Sequence, residues 1–202
     1  LTALPPTDGP FQGRLEELVR LGSALTAARR PSLLTIHGGG GQGKTALARQ
    51  VAERFAWAWP GGVWAITLET SPSRLTFVQE LARFLGIETQ SSDELAVIER
   101  LGLQRLGERR SLLILDNAET ILDAVERADP SALDLVAWWR QVLTTSATLL
   151  VTSRELLGWA DESYLELGGL QPEEGAALFE QCAGVRARET ERGALCTLSE
   201  QL

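Results

Sequence analysis

The chain has 202 residues, 44% of them hydrophobic and 23% charged, enough for one large domain or one domain plus part of another. Its formal net charge of −8 argues against general nucleic-acid binding, whose footprint is basic. No apolar run approaches the roughly 18 residues of a membrane span, and no charged-then-apolar signal segment opens the chain, so a cytoplasmic protein without membrane contact is expected.

The first residue is Leu1 and there is no methionine, which reads as a fragment of a longer protein. Two cysteines, Cys182 and Cys196, and one histidine, His37, are too few for a zinc site or a disulfide framework. Buried free thiols and a strand-end histidine are the expectation.

In chain order, Leu1 to Pro10 carries Pro5, Pro6, Pro10 and Gly9 and reads as extended. Phe11-Gln12-Gly13-Arg14 leads into a helix to about Ala28, striped by Leu15, Leu18, Val19 and Leu25 and closed by Pro31. Ser32 to His37 is a short apolar strand. Directly after it, Gly38-Gly39-Gly40-Gly41-Gln42-Gly43-Lys44-Thr45 fits the phosphate-binding pattern G-x-x-x-x-G-K-[ST]. The residues from Ala46 to Phe55 then show helical spacing, with Leu47, Val51 and Phe55 on one face.

Glycines at this strand-to-helix turn let backbone N–H groups from Gly38 through Ala46 face one point, and the helix dipole adds partial positive charge there. Lys44 is placed to reach the terminal phosphates, and the Thr45 hydroxyl to ligate Mg²⁺.

Further along, Val63 to Leu68 is a second strand. Pro72-Ser73 opens a helix that Gly86 ends, and another helix runs from about Ser92 to Leu106, capped by Ser92 or Asp93. Ser111 to Asp116 is a third strand ending in a carboxylate, followed by a short helix to about Arg127 and one from Ser131 to about Leu143. In the latter helix, Trp138 and Trp139 are expected in the core. Thr148 to Thr152 is a fourth strand, ending in Ser153-Arg154, and Ser163 to Leu167 an alternating fifth. Beyond Pro172 the pattern is helical.

Strands alternating with helices imply a three-layer α/β fold with a parallel sheet of about five strands, whose ligand lies at the strand carboxyl ends. The P-loop, Asp116 and Arg154 all follow strand ends. Asp116 is positioned to hold Mg²⁺ opposite Thr45. Asn117 cannot act as a base, which leaves Glu119 as the nearest carboxylate able to orient a water, and slow hydrolysis is expected. Arg154 is placed to detect or stabilise the γ-phosphate.

Phe11-Gln12-Gly13-Arg14, the P-loop, Leu112 to Asn117, Leu149 to Arg154 and Leu165 to Leu170 together resemble the NB-ARC branch of the STAND NTPases. That resemblance implies a regulatory switch that holds ADP at rest, exchanges it for ATP and then oligomerises, with protein partners acting through fused effector and sensor domains. It implies that Gln12 and Arg14 lie by the adenine and ribose, that Arg154 is a sensor arginine, and that residues 1–168 form the nucleotide domain and 169–202 the start of a truncated helical domain. Asn117 departs from the acidic residue of many members, and the Gly-Leu-Pro-Leu motif is absent. A non-hydrolysing scaffold with structural nucleotide is the main alternative. A P-loop kinase is disfavoured because no separate lid or acceptor site is visible.

Overall fold

The computed structural model describes residues 9–88 and 94–200. Five strands form one sheet: β1 (Leu33–His37), β2 (Val63–Thr67), β3 (Leu112–Asp116), β4 (Thr148–Ser153) and β5 (Glu162–Glu166). Their order is β2-β3-β4-β1-β5, with every neighbouring pair parallel. The first four strands are buried almost throughout, as parallel strands covered on both faces must be. At the edge, β5 keeps Leu165 inside and leaves Tyr164 and Glu166 exposed, the alternation expected of a half-covered strand.

Helices α1 (Leu15–Thr26) and α2 (Lys44–Arg54) cover one face. Leu18, Leu21 and Leu25 of α1 and Leu47 and Val51 of α2 meet Leu34, Ile36, Ile114 and Leu150 there. The opposite face carries α3 (Arg74–Phe84), α4 (Leu95–Glu108), α5 (Glu119–Glu126) and α6 (Pro130–Val142). Its centre is aromatic. Trp138 and Trp139 are 1% and 0% exposed, and Phe77 meets Trp64 and Trp138 edge to face at 5.1 and 5.6 Å. Such rings combine large buried area with favourable quadrupole geometry.

Helix starts follow local chemistry. Ser73 caps α3 by accepting from the Thr76 N–H, and Asp129 caps α6 by accepting from Ser131 and Ala132 ahead of Pro130. Helix α1 starts at Leu15 because Arg14 is left-handed, at φ 62°. The expected caps of α4, Ser92 and Asp93, lie outside the described residues.

After β5 the chain forms a helical hairpin, α7 (Pro172–Ala183) and α8 (Glu189–Glu200). Burial of the two cysteines is not found here: Cys182 is exposed and Cys196 only half-buried. The reason is the hairpin's partnership. Its helices pack on each other, and Ala176 is the one buried residue of α7. Among the described residues, no helix is long and apolar enough to cross a membrane.

Candidate functional site

The site grows from the carboxyl edge of the sheet, where His37, Asp116, Ser153 and Glu166 end their strands. From β1 the chain turns through the glycines into α2. Gly38 has φ +154°, and a Cβ on it would lie 2.3 Å from the Leu167 carbonyl oxygen, so no other residue fits between the two backbones. Gly43, at φ 85°, is the left-handed residue from which α2 starts, leaving the first helical N–H groups open toward a ligand.

Lys44 is 7% exposed and its Nζ donates to the carbonyls of Gly38 (2.8 Å) and Gly39 (2.7 Å). Burial pushes its ammonium below the ordinary lysine value. Glu119 and Asp116 oppose that shift and Arg154 adds to it, so all three charges bear on Lys44.

Beside it, the Thr45 hydroxyl donates to Asp116 Oδ1 at 2.7 Å. Donation leaves the Thr45 oxygen lone pairs available, and a hydroxyl with a facing carboxylate is a hard-oxygen donor set suited to Mg²⁺. Among the described residues, no group of three or more His, Cys, Asp or Glu is placed to hold a metal. A cation held by Thr45 and Asp116 would draw its remaining ligands from phosphate oxygens and water.

Glu119 and Arg154 meet across the mouth of the site, with Arg154 Nε 3.2 Å from Glu119 Oε1. The arginine is 66% exposed, so the pair is worth less than about 1 kcal/mol and opens readily. The other oxygen, Glu119 Oε2, is buried without a hydrogen-bond partner, as are Gln42 Oε1 and His37 Nε2. Three orphaned polar atoms around one loop suit a site built for a polar ligand. Asn117, left-handed at φ 60°, turns its side-chain amide to Glu69 Oε1 at 3.2 Å.

Behind the loop lies a cavity of about 460 Å³, lined by Phe11, Gln12 and Arg14, by the backbone of Gly40 to Gly43, and by Leu178, Phe179 and Leu195 of the hairpin. Its apolar character and size suit a flat heterocycle. Arg14 closes one wall. It is 6% exposed and donates to the carbonyls of Gln42 (3.1 Å), Gly168 (2.6 Å) and Gly169 (3.2 Å) and to Glu17 (2.8 Å). Gln12 donates to Gln181 of α7 at 2.7 Å.

The structure thus gathers the loop, Lys44, Thr45, Asp116, Glu119 and Arg154 at one edge, with Gln12 and Arg14 on the cavity wall. Sequence reasoning missed the hairpin's share of that wall. It also missed Thr152, fully buried on β4, which donates to Asp116 Oδ1 at 2.5 Å. A hydroxyl two residues before Arg154, directly after the apolar run Leu149 to Val151, was the available signal.

A family model described as an AAA domain matches residues 27–157. The regulatory protein AfsR of Streptomyces coelicolor is 31% identical over 207 residues, an overlap covering 95% of this chain and 19% of that protein. The chain therefore spans about a fifth of that relative's length. Among solved structures, the ORC2 protein of Aeropyrum pernix, in ADPNP and ADP complexes, superposes with a TM-score of 0.67 at 19% identity, covering 97% of this chain and 59% of that one. A signal transduction ATPase with numerous domains from Pyrococcus horikoshii, bearing a tetratricopeptide repeat sensor, gives 0.52 at 17% identity, over 97% of this chain and 28% of that one. These two likenesses bear on the fold alone. With the family match spanning β1 to β4 and the loop, Lys44, Thr45 and Asp116 in their places, the chain belongs to the AAA domain family and is a P-loop ATPase domain.

Proposed function

We propose that this domain is the ADP/ATP switch of a STAND-type signalling protein, with slow Mg²⁺-dependent hydrolysis. The supporting observation is the shared cavity: one wall is the P-loop and the other is the helical hairpin, so a bound nucleotide touches both. A ligand that bridges two parts favours the arrangement in which both contact it.

In this reading the amides of Gly38 to Ala46 and Lys44 bind the phosphates. Thr45 and Asp116 hold Mg²⁺, which when bound neutralises phosphate charge. Glu119, once released from Arg154, orients the attacking water, and Arg154 turns to the γ-phosphate. Both residues are engaged with each other here, in a weak pair that a bound nucleotide would open. Residues 1–168 act as the nucleotide domain and 169–202 as the start of a helical domain. Protein partners and nucleotide-dependent assembly belong to a longer protein, as the 19% coverage of AfsR suggests.

The test is thermal unfolding with ADP or ATP plus Mg²⁺. Ligand at 100 times its dissociation constant stabilises by about 2.7 kcal/mol, a rise of roughly 5–10 °C for a domain of this size. No shift with either nucleotide would sink the proposal. A second reading, a scaffold with structural nucleotide, is favoured by Asn117 standing where a carboxylate is needed. Phosphate release separates the two: turnover that falls at least tenfold in Glu119→Gln supports the switch, and none in the wild type supports the scaffold.

A further inference from the structure

We infer that Thr152 is a positioning residue that sets the metal-binding carboxylate and the turn bearing Glu119 at once; this rests on the nucleotide-site reading above. Its hydroxyl accepts from the Asn117 N–H at 3.0 Å and lies 2.5 Å from Asp116 Oδ1. A backbone N–H can only donate, so the single proton of Thr152 is directed at the carboxylate. Asp116 Oδ1 is therefore held by two hydroxyls, those of Thr45 and Thr152. That oxygen is pinned by both, and Oδ2 remains for a cation or its water.

The main chain of Thr152 completes the joint, its carbonyl accepting from the Ala118 N–H at 2.9 Å. Asn117 and Ala118, the two residues between Asp116 and Glu119, thus both hang from Thr152. Two positions further on, just past the end of β4, stands Arg154, the ion-pair partner of Glu119. One residue ties the metal ligand, the water-orienting carboxylate and the phosphate-sensing arginine to a single point of the sheet. Being 0% exposed, it contacts no ligand itself. Its effect on the site passes through Asp116 and the turn, as outer-shell partners of metal ligands act.

The experiment measures ADP affinity by calorimetry across a Mg²⁺ titration and again in EDTA, for wild type, Thr152→Val and Thr152→Ser. Valine keeps the shape and removes the hydroxyl; serine keeps the hydroxyl. The Mg²⁺ concentration giving half-maximal gain in affinity is expected to rise about 10- to 100-fold in Thr152→Val. Affinity in EDTA should stay at the wild-type value, and Thr152→Ser should restore most of the Mg²⁺ response. A merely structural role would lower affinity equally with and without metal.

A Thr152→Val chain that titrates like wild type overturns the inference while leaving nucleotide binding intact. A wild type that binds ADP without regard to Mg²⁺ removes the metal reading and the inference with it. Should Thr152→Val not fold, Thr152→Cys, whose thiol is the weaker donor, must shift the titration in the same direction or the inference fails.

Discussion

The sheet and the α7–α8 hairpin are built on different terms. Helix α3 buries four residues, Phe77, Val78, Leu81 and Ala82, against a core that continues into α6 and the strands. Helix α7 is equally amphipathic in sequence yet buries Ala176 alone, and Phe179 and Leu198 stay 52% and 43% exposed. The sheet carries its own core, whereas the hairpin's apolar residues face the ligand cavity. Stability should therefore reside in the first region and ligand response in the second.

The largest effect expected from breaking that contrast is in the sheet. Trp138→Ala should cost about 3–5 kcal/mol, read by urea unfolding. The matching change in the hairpin, Phe179→Ala, should move unfolding by no more than about 0.5 kcal/mol. Equal costs would mean that the hairpin shares the main core.

Next in size, Lys44→Ala should abolish the nucleotide-induced stabilisation of about 2.7 kcal/mol without lowering the unliganded melting temperature comparably. A preserved shift would move the phosphate site away from the loop. Phe179→Ala supplies the smaller counterpart in binding. Loss of part of the cavity wall should weaken ADP by several-fold, on the order of 1 kcal/mol, as calorimetry would show. An unchanged affinity would detach the hairpin from the ligand.

The smallest effect expected concerns pH. The folded-state pKa of Lys44 lies below its unfolded value, mainly through burial. Between the two values the unfolded chain binds more protons, so stability rises with pH there and the penalty is full below the folded pKa. As pH rises toward the lysine reference value of about 10.4, wild type should gain stability relative to Lys44→Met. A flat difference between the two proteins would show that Lys44 is not desolvated.

Much of this was legible in the chain. Strands β1 to β4 declared themselves because parallel strands buried on both faces are largely apolar runs such as Leu112 to Leu115, and β5 because a half-covered edge strand alternates. The P-loop was legible because phosphate chemistry fixes the spacing of its residues, and the position of Asp116 because it closes an apolar strand. Thr152 was not, since its partner Asp116 is 36 positions away and only the β3–β4 pairing brings them together. Arg14 reads as the start of a helix; its left-handed backbone follows from carbonyls of Gly168 and Gly169 at the far end of the chain. The exposure of Cys182 was equally hidden, because an amphipathic pattern does not say whether its apolar face meets a core or a ligand cavity.

The sheet order has a consequence for how the molecule comes into being. Strand β1, which launches the P-loop, pairs only with β4 and β5: Leu33 lies opposite Leu149 and Glu162. Both partners are synthesised more than a hundred residues later, so these are pairings of high contact order, which close slowly. A nascent chain ending before residue 148 can join β2 to β3, but β1 then has no neighbour in the sheet and nothing fixes the loop against Leu167. On the ribosome, where synthesis runs from the amino end, the phosphate cradle is encoded early and assembled late. Nucleotide can therefore act only on a nearly completed domain, drawing the last strands into register and not guiding the first.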